Sequence, residues 1–352
     1  PSLFILIALS WVYMAFGQMP LVAGLFYGIK PAVAVIVVQA AHRIGSRALK
    51  NKVLWGMAAA SFVAIFAMNL PFPLIVLLAA LTGWLGGKWA PSWFKAGGGH
   101  GSASSSHGPA LIDDDTPTPA HATFRWSRLI KVAVFGLLLW CLPMIMLVSR
   151  FGLDHALTQM GWFFTKAALL TFGGAYAVLP YVYQGAVDHF GWLQPTQMID
   201  GLALGETTPG PLIMVVAFVG FVGGYAKALF GPESLFLAGA VAATVVTWFT
   251  FLPSFIFILA GGPLVEATHD DIKFTAPLTA ITAAVVGVIL NLALFFAYHV
   301  LWPQGFSGQF EIASALISLA AALALFRFKR SVIEVIVVCA LLGLLLKASG
   351  LA

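Results

Sequence analysis

The sequence has little charge and almost no cysteine. Lys, Arg, Asp and Glu make up only 9% of its 352 residues. A soluble domain carries about one-quarter charged residues, so the composition excludes that class. Cys141 and Cys339 lie in separate apolar segments without metal-type spacing, and we interpret them as small core residues. The net charge of +5 does not indicate a nucleic-acid partner, because the basic residues lie at segment ends, where membrane orientation requires them.

The sequence also lacks the motifs of known catalytic sites. It contains no HExxH, P-loop or GxSxG pattern and no paired carboxylates within its apolar runs. His100, His107 and His121 are too scattered to predict a metal site. Without a reactive group, the sequence predicts no enzyme, no catalytic residue, no metal and no cofactor.

Long apolar runs fill the sequence instead. It is 61% hydrophobic, with a mean hydropathy of +0.97. Continuous runs favour membrane-spanning helices over alternating ten-residue barrel strands. We therefore predict an all-α, polytopic transmembrane bundle in a lipid bilayer. About eleven segments could span: 3–18, 20–41, 53–69, 71–87, 128–149, 157–187, 205–224, 236–262, 274–300, 310–326 and 331–349.

A stretch rich in Gly, Ser, Pro and His over 88–127 predicts a flexible linker between residues 1–87 and 128–352. The positive-inside rule places this linker in the cytoplasm, and the alternation of segments requires 157–187 to count as one crossing, with or without a re-entrant piece. The same rule assigns these basic residues to the cytoplasmic side: Arg43, Arg47, Lys50, Lys52, Lys88, Lys95, Arg125, Arg128, Lys131, Lys273, Arg327, Lys329 and Arg330.

A faint internal repeat relates the two regions. Residues 1–8 resemble 253–260, and 31–38 match 282–289 at almost the same offset. The two copies run in opposite directions in the predicted topology, and halves of inverted orientation are typical of transporters. Residues 128–252 have no counterpart before Pro1, so the repeat predicts that roughly 125 residues of a first half precede this chain.

Two stretches broken by Gly and Pro interrupt the apolar sequence, at 171–180 and 206–212. Broken helices at membrane depth are tolerated where they line a cavity. Pro209 and Pro211 predict the start of a helix, whose unpaired N–H groups could cradle an oxyanion that approaches the backbone at Gly210. The alternative is an ordinary helix start at the membrane boundary, capped by Thr208.

The stretch 171–180 has the same two interpretations. Gly173 and Gly174 predict either a second helix start on the same cavity or close packing of helices against small residues. Lys166 lies five residues earlier and could neutralise an anion, pair with Glu206 or reach the outer interface. Glu206 could carry a proton, gate the site or lie at the interface.

Two further polar residues have simpler interpretations. Asn291 lies in an apolar segment and could form a hydrogen bond between helices. We place Asp200 in an exposed loop before the 205–224 segment.

Five stretches of the sequence are similar to one transporter family. They are TFGGAYAVLPYV (171–182), GWL (191–193), GLALGETTPGPLIMVVAFVGFVGG (201–224), AITAAVVGVILNLALFFA (280–297) and LFYGIKPAVAVIVVQAAHRIGSRAL (25–49). The first four resemble the second half of the chromate ion transporter family, and the last resembles the end of its first half. The resemblance implies an inner-membrane transporter that exports chromate, a tetrahedral dianion like sulfate, and confers resistance. Family members also carry FGG-type and PGP-type motifs in the first half, and residues 1–87 of this chain contain neither.

The resulting hypothesis is a secondary, alternating-access carrier that exports chromate or a sulfate-like oxyanion, with proton coupling and a homo-oligomer left open. The alternatives are an uptake carrier for sulfate or a related oxyanion, and a membrane subunit that does not transport. Glu206 and Asn291 are the candidate coupling or gating residues. The candidate substrate-binding residues are Lys166, Thr171, Gly173, Gly174, Tyr176, Thr207, Thr208, Pro209, Gly210 and Pro211.

Overall fold

The computed structural model describes residues 1–94, 125–171, 174–267 and 275–350. These residues form helices and connecting turns without a β-strand. Gly173 and most of the predicted linker, residues 95–124, lie outside the described residues. The α-helices are α1 (Ser2–Phe16), α2 (Pro20–Ala48), α3 (Lys52–Phe66), α4 (Phe72–Trp89), α5 (Pro91–Phe94), α6 (Trp126–Phe151), α7 (Ala156–Leu169), α8 (Ala175–Tyr183), α9 (Pro195–Thr207), α10 (Val215–Ala226), α11 (Leu235–Ala267), α12 (Thr275–Leu301), α13 (Ile312–Ala322) and α14 (Val332–Ala348).

Several of these helices are long and apolar enough to cross a membrane. Within the described ranges they are Pro20–Ala48, Phe72–Trp89, Trp126–Phe151, Pro232–Gly261 and Thr275–Leu301. A span needs about 20 apolar residues, so the prediction of an all-α, multi-pass membrane protein is confirmed. The other predicted segments are shorter helices or pairs of helices, so fewer full-length spans appear in the described residues than the eleven segments predicted.

The predicted segment 157–187 is divided into two helices, α7 and α8, which we call the first hairpin. The helix ends at Leu169 and restarts at Ala175, and a π-helical turn, Gln184–His189, continues α8. Phe163 stacks on Tyr181 with ring centroids 4.7 Å apart. Because these rings lie six residues before and after the break, the two helices run antiparallel.

The predicted segment 205–224 is also divided, between α9 and α10, which we call the second hairpin. Helix α9 ends at Thr207, and a 3₁₀ turn, Leu212–Met214, leads into α10. The aromatic ring of Phe218 packs directly over Gly201, and Val215 packs against Gly205. These pairs lie on either side of the break, so α9 and α10 are also antiparallel.

The two hairpins pack together at the ends away from their breaks. Gly223 of the second hairpin contacts Met160 and Trp192, and the Trp192 ring lies 5.6 Å from that of Phe163 in the first hairpin. Van der Waals packing with small residues at close contacts drives helix association in lipid. The shared base therefore aligns the hairpins and directs both breaks toward the same end of the molecule.

Helices α2 and α12 form the centre around which the remaining helices pack. They contact each other, α2 packs against α13 and α14, and α12 packs against α3 and α4. Glycine permits the closest approaches: Gly28 of α2 lies against the backbone of Gly343 in α14, and Gly287 of α12 against that of Ala58 in α3. Each central helix thus holds two helices from the opposite region of the sequence, which joins residues 1–87 and 128–352 into one bundle.

Candidate functional site

The turn of the first hairpin is built around a glycine with a backbone that other residues rarely adopt. Gly174 has a φ of +103° and is the N-cap of α8. The N–H groups of Ala175 and Tyr176 begin this helix without a partner inside it, whereas the Ala177 N–H donates to the Gly174 carbonyl oxygen at 3.0 Å. The Thr171 hydroxyl donates to the carbonyl oxygen of Ala167 at 2.7 Å, which closes the end of α7.

The turn of the second hairpin confirms the predicted helix start after Pro209. Thr208 is extended, Gly210 has a φ of +146°, and the 3₁₀ turn begins directly after Pro211. Gly210 approaches a side chain of this chain rather than open space, since the Ser2 hydroxyl packs against it and donates to the carbonyl oxygen of Pro209 at 2.7 Å.

The predicted threonine donors are engaged with the end of α9. The Thr208 hydroxyl donates to the carbonyl oxygen of Leu204 at 2.7 Å. The Thr207 hydroxyl lies 3.1 Å from the carbonyl oxygens of Ala203 and Leu204. In this arrangement both hydroxyls satisfy helix carbonyls, so their donation to a substrate stays a prediction.

The two hairpin turns meet in a cavity of about 740 Å³, which we call the tip cavity. Thr171, Gly174 and Tyr176 line it from the first hairpin, and Pro211 from the second. The tip cavity therefore brings together four of the predicted substrate-binding residues, from both broken stretches. Its other lining residues are Arg43, Ile44, Arg47, Ala48, Ala168, Ala175, Leu212, Ile213, Thr250, Phe251, Ser254 and Thr282.

Two arginines supply the positive charge of the tip cavity. The sequence assigned Arg43 and Arg47 to a cytoplasmic loop after residue 41, but α2 continues to Ala48 and carries both. Side chains four residues apart share one helix face, and here that face is the wall of the cavity. The i, i+4 spacing of the two arginines is visible in the sequence. The positive-inside rule used them only to orient the chain, so this spacing was not interpreted as part of a site.

A hydrogen bond links the two hairpins beside the tip cavity. The Tyr176 hydroxyl of α8 donates to Oε1 of Glu206 in α9. Tyr176, Glu206 and Arg43 also line a smaller adjoining cavity of about 190 Å³. The partner of Glu206 is thus Tyr176 rather than Lys166, and the carboxylate lies beside the basic wall of the tip cavity.

Lys166 and Asn291 line a different cavity, of about 760 Å³, which we call the Lys166 cavity. It has no lining residue in common with the tip cavity. Tyr176 near the start of α8 faces the tip cavity, whereas Pro180 in its second half faces the Lys166 cavity. The two cavities therefore lie at opposite ends of α8 and share out only part of the predicted site. Neither cavity is lined by Glu206, Thr207, Thr208, Pro209 or Gly210.

The prediction that Asp200 lies in an exposed loop is wrong. Asp200 is within α9, and only 2% of its side chain is exposed. Its Oδ2 forms an ion pair with Lys30 Nζ at 3.3 Å and accepts a hydrogen bond from the Tyr13 hydroxyl at 2.9 Å. At the start of this helix the Gln197 side chain accepts a hydrogen bond from the backbone N–H of Gln194 at 2.8 Å.

Comparisons with known proteins agree on one family. The model of the family described as "Chromate transporter" matches residues 1–84 and 158–344. The chain is 26% identical over 346 residues to the "Chromate transport protein" of Cupriavidus metallidurans, covering 98% of this chain and 72% of that protein. It is 31% identical over 300 residues to the protein of the same name in Pseudomonas aeruginosa, covering 82% of this chain and 59% of that protein.

One further relative is more distant. A "Probable chromate transport protein" of Synechococcus elongatus is 23% identical over 349 residues, which covers 98% of this chain and 74% of that protein. No solved structure matches this chain. Because the family's model matches most of the chain, including both hairpin turns and α2, this protein belongs to the chromate transporter family.

Proposed function

We propose that this chain exports chromate, or a tetrahedral oxyanion of the same charge, and binds it in the tip cavity. The observation that carries the proposal is the meeting of two helix starts with Arg43 and Arg47 in one cavity. The family provides the substrate class, since the relatives in Cupriavidus metallidurans and Pseudomonas aeruginosa are named chromate transport proteins.

The chemistry of the tip cavity suits a tetrahedral dianion. Free N–H groups and the positive end of the helix dipole favour anions at the starts of α8 and of the 3₁₀ turn Leu212–Met214. Arginine adds a planar set of donors that binds oxyanions in a bidentate way. Backbone donors fixed by the two turns would hold the oxygens on one side, and the guanidinium groups of Arg43 and Arg47 would face them from α2.

We place the tip cavity on the cytoplasmic side of the inner membrane, together with the linker 88–127. The basis is the positive-inside rule, because the end of α2 and the residues after it carry Arg43, Arg47, Lys50 and Lys52. The Lys166 cavity would then face outward. A carrier that alternates between these two cavities would move the anion past α8, the helix that contributes to both.

The packing of α2 and α12 supports two related halves of inverted orientation. Each central helix contacts two helices of the other region, and the pattern is reciprocal. A pseudo-two-fold axis in the membrane plane would generate this reciprocal packing of helices. The repeat between residues 31–38 of α2 and 282–289 of α12 fits the same axis.

The membrane potential favours export. Each elementary charge that crosses 100 mV gains about 2.3 kcal/mol, so a dianion leaving an inside-negative cell gains roughly 4–5 kcal/mol. Export therefore requires no ATP. Glu206 gives a route for proton control, because an ionised carboxylate beside the tip cavity would repel the substrate and a protonated one would not.

Flux of labelled chromate in proteoliposomes under a potassium-clamped membrane potential tests the proposal. We expect the wild-type chain to move chromate toward the positive side, with sulfate as a competitor. Flux that ignores the potential would contradict electrogenic export. Sulfate flux without chromate flux would favour the uptake carrier, and absence of both would favour a subunit that does not transport.

A further inference from the structure

A buried ion pair joins the second hairpin to α2, away from both cavities. Asp200 of α9 pairs with Lys30 of α2 and accepts a hydrogen bond from Tyr13 of α1. None of these three residues lines the tip cavity or the Lys166 cavity. The cluster joins α9 to α1 and α2, which lie far from it in sequence, and the proposed anion site does not use it.

One oxygen of this carboxylate is unsatisfied. Asp200 is 2% exposed, and its Oδ1 has no hydrogen-bond partner among the residues that the structure describes. A buried polar atom without a partner is costly, and ionisable side chains within membrane segments are usually retained for function. A purely structural ion pair would gain by satisfying both oxygens. The free lone pairs of Oδ1 leave this carboxylate able to take up a proton.

The position of Asp200 connects this cation to the substrate site. Helix α9 carries Asp200 in its middle and Glu206 at its tip end, about 9 Å further along the axis at 1.5 Å per residue. Helix α2 carries Lys30 at its centre and Arg43 at the tip cavity. The ion pair thus fastens the second hairpin to the helix that supplies the arginines.

We propose that Asp200 is a proton-binding site that couples proton movement to oxyanion transport by this chain. The inference rests on the proposed function and adds the coupling ion and its residue. Lys30 and Tyr13 are the charged and titratable groups that bear on the carboxylate. Binding of one proton from solution to Asp200 forms an O–H bond, neutralises the carboxylate and removes the attraction to Lys30. Lys30 is 31% exposed, so its ammonium group is not enclosed by protein when the carboxylate is neutralised. Breaking the pair frees α9 to move relative to α2, and release of the proton restores the contact.

The test separates substrate movement from proton movement in proteoliposomes. Exchange of labelled for unlabelled chromate at equal pH requires the anion site but no net proton transfer. Net chromate flux at a clamped potential, with a pH-sensitive dye in the lumen, reports coupled protons. We expect the wild-type chain to move protons against the chromate flux, and Asp200→Asn to keep exchange within about threefold while proton movement falls at least tenfold.

Glu311→Gln is the matched control. Glu311 also accepts a hydrogen bond from a tyrosine of this bundle, Tyr27, at 3.0 Å, but it is only partly buried. This variant should exchange chromate and move protons as the wild type does. Equal loss of proton movement in Glu311→Gln and Asp200→Asn would overturn the assignment to Asp200.

A second variant guards against misfolding. Lys30→Gln combined with Asp200→Asn removes both charges and leaves no unpaired ammonium group, and its thermal melting reports whether the bundle is intact. A folded double variant that exchanges chromate without moving protons supports the proposal. The proposal is overturned if Asp200→Asn or the double variant still moves protons. It is also overturned if a folded double variant loses chromate exchange, or if a sodium gradient replaces the proton gradient in driving flux. Absence of chromate exchange by the wild-type chain would instead remove the proposed function, and the coupling role with it.

Discussion

The tip cavity and the Lys166 cavity have nearly the same volume, about 740 and 760 Å³, and both contain basic residues. Their walls differ in kind. Two helix starts and two arginines line the tip cavity. The Lys166 cavity also includes the start of α4, but there the Gln184 side chain accepts the Phe72 N–H, and a π-helical turn adds Asp188. Cavity volume and the presence of a basic side chain therefore do not identify an anion site. An anion site is identified by unpaired backbone donors beside arginine, with no carboxylate in the cavity lining.

The largest effect should follow from the loss of charge in the tip cavity. A hydrogen bond to a charged group contributes about 1.5–3 kcal/mol, which corresponds to roughly 10–100-fold in affinity. Arg43→Gln should therefore lower chromate efflux at least tenfold, measured as flux in proteoliposomes. Lys52→Gln, an exposed charge at the start of α3, is the control. A tenfold loss of efflux in Lys52→Gln as well would show that chromate efflux depends only on the net positive charge of the cytoplasmic side.

The next largest effect should come from the turn of the first hairpin. Gly174→Ala forces a side chain into a left-handed backbone, at a cost of about 1–3 kcal/mol. We expect this variant to raise the KM for chromate about fivefold. Gly231→Ala carries the same kind of strain, since Gly231 has a φ of +89°, but it lies outside both cavities. Similar thermal destabilisation with an altered KM only in Gly174→Ala would localise the effect to the tip cavity.

A smaller effect should follow from Lys166→Gln. Lys166 is exposed and shares its cavity with Asp188, and exposed charges contribute about 0–1 kcal/mol. We expect chromate efflux to fall about two- to threefold, without a change in KM on the cytoplasmic side. If Lys166→Gln instead matches Arg43→Gln, the two cavities are equivalent binding sites, and the distinction between them fails.

The smallest effect should come from the threonines of the second hairpin. Because the hydroxyls of Thr207 and Thr208 donate to α9 carbonyls, the double variant Thr207→Val, Thr208→Val should change efflux less than about twofold. Its melting temperature should fall, since each of these bonds contributes about 0.5–1.5 kcal/mol. A loss of efflux comparable to that of Arg43→Gln would show that these hydroxyls turn to the substrate, as the sequence predicts.

Features set by local chemistry could be read from the sequence. Continuous apolar runs predicted an all-helical membrane protein, because the backbone must satisfy its own hydrogen bonds in lipid. Pro209, Gly210 and Pro211 predicted a helix start, because proline fixes φ and lacks an N–H group. Gly174 predicted a break for a similar local reason. In each case a few neighbouring residues determine the conformation, so no knowledge of the rest of the chain was required.

Features set by distant contacts could not be read in this way. The same apolar run 157–187 is compatible with a single crossing or with a hairpin, and only the contact of Phe163 with Tyr181 across the turn distinguishes the two. The interpretation of Asp200 failed for a related reason. A lone acid between apolar segments looks like a loop residue until its partners, Lys30 and Tyr13, are known.

The sequence by itself thus determined the membrane class, the family and the two points at which helices break. Only the tertiary structure decided that both breaks face one cavity, that Arg43 and Arg47 line it, and that Lys166 does not. The physical reason is that helix packing in lipid depends on the shapes of surfaces that lie far apart in sequence. The residues of the tip cavity come from α2, both hairpins, α11 and α12, and no local pattern specifies that they meet.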